Sequence, residues 1–188
     1  MRFMRVSFVM VALAAATALL LPATVEAQSG RLSIEARPGV TLPTGDISDA
    51  GAGAGLALGA ELMYTFMPAL TAYVGLSRDS FSCDDDEPCG DGFESSGLQG
   101  GLKFLFGRDG TALPWARAGV MGQSLEIGDE DTDMSLGFEA GAGVDIDVSR
   151  NIALVPAVGF RTYGVDLDNG GDLSARWFNV TLAGHIHF

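Results

Sequence analysis

The chain is poor in positive charge, with 11 Lys and Arg against 24 Asp and Glu and a formal net charge of −13. A phosphate-binding surface needs clustered Lys and Arg, so a nucleic-acid partner is excluded. Cysteine is scarce: Cys83 and Cys89 are the whole complement, too few for a miniprotein built on disulfides. Histidine is scarcer in effect, because His185 and His187 both lie in the last few residues and leave the loop serines without a neighbouring base. No stretch after Pro22 approaches the ~20 apolar residues of a membrane-spanning helix. Only 19% of residues are charged while 47% are hydrophobic, which excludes an acidic disordered chain. There are 26 glycines, roughly double the usual share of about 7%.

The first residues read as an export address. Arg2 and Arg5 precede an almost wholly apolar run from Phe8 to Leu21, Pro22 breaks it, and Val25-Glu26-Ala27 offers a small-x-small cleavage site. A basic start, a short apolar centre and such a site describe a secretory signal peptide over 1–27, leaving 28–188 as one domain. No Cys stands at the cleavage site to carry a lipid anchor.

The remainder has a period of two. Leu136, Phe138, Ala140, Ala142, Val144, Ile146 and Val148 alternate with Gly137, Glu139, Gly141, Gly143, Asp145 and Asp147. Strands send successive side chains to opposite faces, so this is a strand with one apolar and one polar or small face. Similar segments occur near 31–42, 55–66, 69–81, 96–106, 113–125, 152–164 and 177–188. Short links at 67–69, 107–112 and 149–151 alternate with longer acidic stretches near 43–54, 80–95, 126–134 and 165–174. Eight strands with short turns at one end and long loops at the other predict an all-β, antiparallel, up-and-down transmembrane β-barrel.

Face chemistry sets its orientation. The apolar face carries almost no charge, whereas the other carries Glu35, Arg37, Glu61, Lys103, Arg117, Glu139, Asp145 and Arg161. A membrane barrel turns its apolar face to lipid and fills the lumen with polar or small side chains. An eight-stranded lumen is just wide enough to be filled by side chains, so these eight residues are expected to form an ion-pair network that fixes strand register. Folding about residue 150 opposes Glu139 to Arg161. Folding about residue 49 opposes Arg37 to Glu61. Lys103 and Arg117 fall opposite one another and need Glu35, Glu61, Asp145 or Glu139 from across the lumen.

With its leader, eight amphipathic strands and terminal Phe188, the chain resembles the OmpA/OmpX-type outer-membrane β-barrels. The most specific part is the final strand, where Phe178, Val180, Leu182, Ile186 and Phe188 alternate. In that family such a strand resembles the signal read by the barrel-assembly machinery. The resemblance implies a monomer in the outer membrane, with outer-membrane lipids and lipopolysaccharide as surroundings and no cofactor; His185 and His187, at the end of the last strand on the expected lumen face, argue against an enzyme. The functional expectation is an envelope-integrity or adhesion role, with a narrow porin-like channel or small-ligand transporter as the alternative.

The loops carry the acid excess. Removing Glu26 with the leader leaves 23 acids, 16 of which lie in the four long loops. Hard cations favour carboxylate oxygens, so divalent cations bridging to lipopolysaccharide phosphates are a possible partner class. Asp129-x-Asp131-x-Asp133 imitates the start of an EF-hand, but Met134 and Ala140 stand where that loop needs Gly and Glu. Cys83 and Cys89 bracket an acidic loop, and in an exported chain such a pair is expected to form a disulfide.

Overall fold

The structure, a computed structural model, describes residues 31–49, 51–82, 93–107, 110–127, 130–131, 134–166 and 172–188. The expected signal peptide, the Cys83–Cys89 pair and loop acids such as Asp129 and Asp133 lie outside the described residues.

The strands are β1 (Leu32–Ala36), β2 (Gly39–Thr44), β3 (Gly55–Met67), β4 (Leu70–Phe81), β5 (Phe93–Leu105), β6 (Ala112–Ile127), β7 (Glu130–Asp131), β8 (Ser135–Asp147), β9 (Ile152–Asp166) and β10 (Asp172–His187). One helical turn, α1 (Asp46–Asp49), follows β2. Neighbours in sequence are antiparallel neighbours in space, and β10 closes the ring against both β9 and the β1/β2 stave. The two-residue β7 only extends the upper end of β6. The result is a closed barrel of eight staves. Closure removes the free sheet edge that could not be tolerated in lipid, where unpaired backbone groups find no water.

Pro38 explains why the first stave is written as two strands. Proline has no N–H to give a ladder. Arg37 nevertheless keeps both backbone bonds to Gly59, at 2.8 and 3.1 Å, and Leu182 N–H donates to the Pro38 carbonyl at 3.0 Å. The stave therefore continues through the proline with one donor lost.

The ladders between the staves pair odd residues with odd, as in Glu35 with Glu61, Glu61 with Gly75 and Glu139 with Arg161, except at Met67–Leu70 beyond the β3–β4 register shift; the short β6–β7 extension pairs odd with even. Among the described residues, every buried strand residue is odd-numbered. The exposed large apolar strand residues are even-numbered, except Met67, which follows a register shift at the β3–β4 turn. Thus Leu58, Leu62, Val74, Leu98, Val120, Leu136, Val158 and Leu182 form an apolar skin. Tyr64, Phe66, Phe104, Phe106 and Phe188 gather at the short-turn end of this skin. Phe138, Phe160 and Phe178 lie higher, with Phe160 and Phe178 rings 5.1 Å apart. They stand on the order of ten residues from the short turns, the span of a transmembrane strand.

The lumen is arranged in three layers. Ile47, Ala52, Phe81, Met121, Leu125, Tyr163, Ala175 and Trp177 cluster at the long-loop end. Trp115, Ala153, Val155, Ala157 and Ala183, with Leu105 against them, cluster at the short-turn end. Most of the charged residues lie between, but Asp145 stands opposite Leu113, nearer the short turns than Trp115, and Arg161 stands opposite Trp177. The sequence places Trp177 on the inward face among polar and small side chains; Trp115 and several other large apolar groups join it in the lumen. Glycine makes room for them. A Cβ on Gly143 would come within 2.6 Å of Trp115 Cζ2 and 2.9 Å of the Ala157 Cβ.

Replacing Gly143 with Val is therefore expected to overpack the lower cluster and destabilise the barrel by about 1–3 kcal/mol. Urea unfolding in lipid vesicles would read this as a lower midpoint; an unchanged midpoint would contradict the packing.

Candidate functional site: the lumen ion-pair network

Among the described residues, nine ionic side chains are buried here: Glu35, Arg37, Glu61, Asp79, Lys103, Arg117, Glu139, Asp145 and Arg161. Eight are the residues singled out by the alternation of the sequence. The ninth is Asp79. Burial among lipid-surrounded strands leaves such charges only each other for compensation, because removing one partner strands an uncompensated charge.

Two carboxylates organise the middle layer. Glu61 accepts from Arg117 Nη1 at 2.7 and 3.0 Å, from Arg37 Nη1 at 3.2 and 3.3 Å, and from Gln99 Nε2 at 2.6 Å. Glu139 accepts from the Tyr73 hydroxyl at 2.6 Å, Arg117 Nη2 at 3.2 Å and Arg161 Nε at 3.3 Å. Arg117 thus joins the two carboxylates while its guanidinium lies 4.8 Å from the Tyr73 ring centroid. Arg161 extends the chain upward. Its Nη1 donates to Asp79 Oδ2 at 2.5 Å and its Nη2 to Gln99 Oε1. Asn179 Nδ2 donates to the other Asp79 oxygen at 2.8 Å. Above it, Tyr163 donates to Ser95, Ser95 to Gln123 and Gln123 to Ser77, each at 3.1 Å.

Lys103 and Asp145 form a separate pair. The ammonium reaches both carboxylate oxygens at 2.8 Å and lies 4.6 Å from the Trp115 ring centroid. The like-charged neighbours Lys103 and Arg117 are therefore compensated by different acids.

Register places Glu139 directly opposite Arg161. The expected opposition of Arg37 and Glu61 needs correction. Arg37 faces Gly59, and Glu61 faces Glu35, because the ladder is centred on residue 48, not 49. The ion pair still forms diagonally, at 3.2 Å. Glu35 is the least satisfied member: it accepts no hydrogen bond, with Arg37 Nη1 at 3.4 Å and His185 Nδ1 at 3.8 Å. His185 is buried, and its ring centroid is 4.2 Å from that of His187.

Asp79 shares the odd-numbered face of β4 with Thr71, Tyr73 and Ser77, so its alternation was the available signal. Its position beside the acidic stretch near 80–95 concealed it. Tyr73, Gln99, Gln123 and Asn179 carry no charge to mark them. The residues expected to form an assembly signal, Phe178, Val180, Leu182, Ile186 and Phe188, are all exposed on the outer surface.

Because Lys103 and Asp145 form an isolated pair, Lys103→Met or Asp145→Leu alone should cost about 3–5 kcal/mol, and the double variant less than the sum. The Glu139→Gln/Arg161→Met double should recover less, since Arg117 and Asp79 lose partners too. Equilibrium unfolding of both cycles checks this; additive losses at Lys103 and Asp145 would contradict the pairing.

No protein-family model matches the chain, and no curated protein does. Solved structures resemble it. The crystal structure of Neisserial surface protein A (NspA) aligns with a TM-score of 0.68 at 14% identity, covering 84% of this chain and 97% of that one. OprG from Pseudomonas aeruginosa aligns at 0.56 and 13%, covering 85% and 98%. AlkL, solved by solid-state NMR in DMPC bilayers, aligns at 0.50 and 13%, covering 89% and 94%. At these identities the likeness is one of fold. An apolar skin around a closed polar lumen is the solution that lets strands cross lipid. The chain is an eight-stranded transmembrane β-barrel with the fold of small outer-membrane proteins such as NspA, OprG and AlkL.

Proposed function

We propose that this protein is a non-conducting, non-enzymatic outer-membrane barrel whose work is done at its surface. One observation carries the reading: the lumen is blocked at three successive levels. An aromatic and aliphatic cluster fills each end, and interlocked ion pairs fill the middle. Small barrels fill with side chains, leaving no wide water path. The long acidic loops then supply the functional surface, in envelope integrity or adhesion. Lipid and lipopolysaccharide meet the apolar skin, and divalent cations are the partners suited to bridging loop carboxylates and lipid phosphates. The exposed apolar residues of the last strand suit recognition by the assembly machinery, and a single closed ring suits a monomer. The burial of His185 inside the lumen supports the non-enzymatic reading, since a general base must reach substrate.

A narrow channel is the second reading. It is favoured by a small cavity beside Arg37, Arg117, Glu139, Arg161, Asn179 and Thr181, with room for roughly one or two waters.

Planar-bilayer recording of the refolded mature protein separates the two. Silence is expected; reproducible conductance steps would reject the closed-barrel reading and support the channel.

A further inference from the structure

We propose that the described residues of the link between β2 and β3, 45–49 and 51–54, form a hinged lid over the outer end of the lumen, opening while the barrel stays folded. The segment is bounded by two glycines in the left-handed region, Gly45 at φ 65° and Gly51 at φ 87°. Other residues adopt that conformation only at a cost, so glycine there permits a sharp change of direction at each end. Between them stands α1, a single turn that closes its hydrogen bonds largely on itself. Asp49 N–H donates to Gly45 O at 2.9 Å, Gly51 N–H to Ser48 O at 3.1 Å and Ala52 N–H to Ile47 O at 3.1 Å.

The lid's inner surface is apolar and its outer surface polar. Ile47 and Ala52 are buried, whereas Asp46, Ser48 and Asp49 are exposed. Ile47 enters the upper cluster formed by Phe81, Met121, Leu125, Tyr163 and Trp177. Its fastenings to the barrel include Ser174 N–H to Asp46 Oδ2 at 3.0 Å and Gly53 N–H to Ser82 O at 2.6 Å. The first is solvent-exposed and so the easier to exchange for water.

Under the lid lies an aromatic basin. The Trp177 ring meets Phe81 and Tyr163 edge-on, at 5.6 and 5.5 Å between centroids. The Trp177 indole N–H is buried and donates no hydrogen bond. Buried indole N–H groups usually find an acceptor. Opening the lid would expose this donor, set in an apolar surround, to the cell exterior. The lid opens a vestibule only: the ion-pair layer and the lower cluster remain beneath it. The proposal is therefore independent of whether the barrel conducts.

The test is amide hydrogen exchange of the mature protein in lipid nanodiscs. The Asp49, Ala52 and Gly53 amides should exchange roughly a hundredfold or more faster than those of Trp177 and Val180 in β10, because the lid opens without the barrel. Ile47→Ala should speed the lid amides by a further tenfold or so and leave β10 unchanged. In a Trp115→Phe background, Ile47→Ala should also raise acrylamide quenching of Trp177, while Ile47→Leu should not. Lid and β10 amides exchanging at one rate, or accelerating together in Ile47→Ala, would overturn the proposal. So would Trp177 quenching that Ile47→Ala leaves unchanged.

Discussion

A charge inside a barrel this narrow has nowhere to go except to another charge. Water is the usual solvent for Arg and Glu, but two apolar clusters close this lumen off from the outer and inner ends. The middle layer must therefore compensate itself, and it does so by sharing. Glu61 serves two arginines, Glu139 serves two more contacts of the same kind, and Arg117 belongs to both. Hydrogen bonds between ionised partners are stronger than neutral ones, and geometry matters more when no water can substitute. A slip of one residue along any stave would turn this set toward lipid and bring the apolar set inside. The ionic layer thus acts as a register device, and the apolar skin opposes the same slip from outside.

Several other features follow from that requirement. Glycines such as Gly119 and Gly143 recur on the inward face because neighbouring Tyr73 and Trp115 occupy the volume a side chain would need. The tryptophans flank the charges, Trp177 opposite Arg161 and Trp115 against Lys103, where their rings exclude water from the ion pairs. With the interior given over to holding the barrel together, the acidic loops and the outer rim are left as the surfaces able to engage anything else.

Much of this was legible in the sequence because β structure has a period of two. The inward face could be read from Glu139 and Asp145 alternating with Phe138 and Val144, and the short turn at residue 150 set the Glu139–Arg161 register. Where a connection was long, symmetry failed as a guide. The β2–β3 link contains α1 and two left-handed glycines, which shift the ladder centre and put Arg37 opposite Gly59. Asp79 was hidden by its acidic neighbours. The neutral bridging groups, and the choice of Asp145 for Lys103, depend on contacts across the lumen that no local pattern encodes. The layering was likewise invisible, since Trp115 and Trp177 look like any other inward residues until the strand tilt places them at opposite ends.

The most direct measurement is through-space nitrogen–carbon solid-state NMR on the mature protein in bilayers. Contacts are expected from Lys103 Nζ to the Asp145 carboxyl carbon, from the Arg161 guanidinium to Glu139 and Asp79, and from Arg117 to both Glu61 and Glu139. A folded barrel lacking these contacts, or showing Lys103 joined to a different carboxylate, would contradict this pairing.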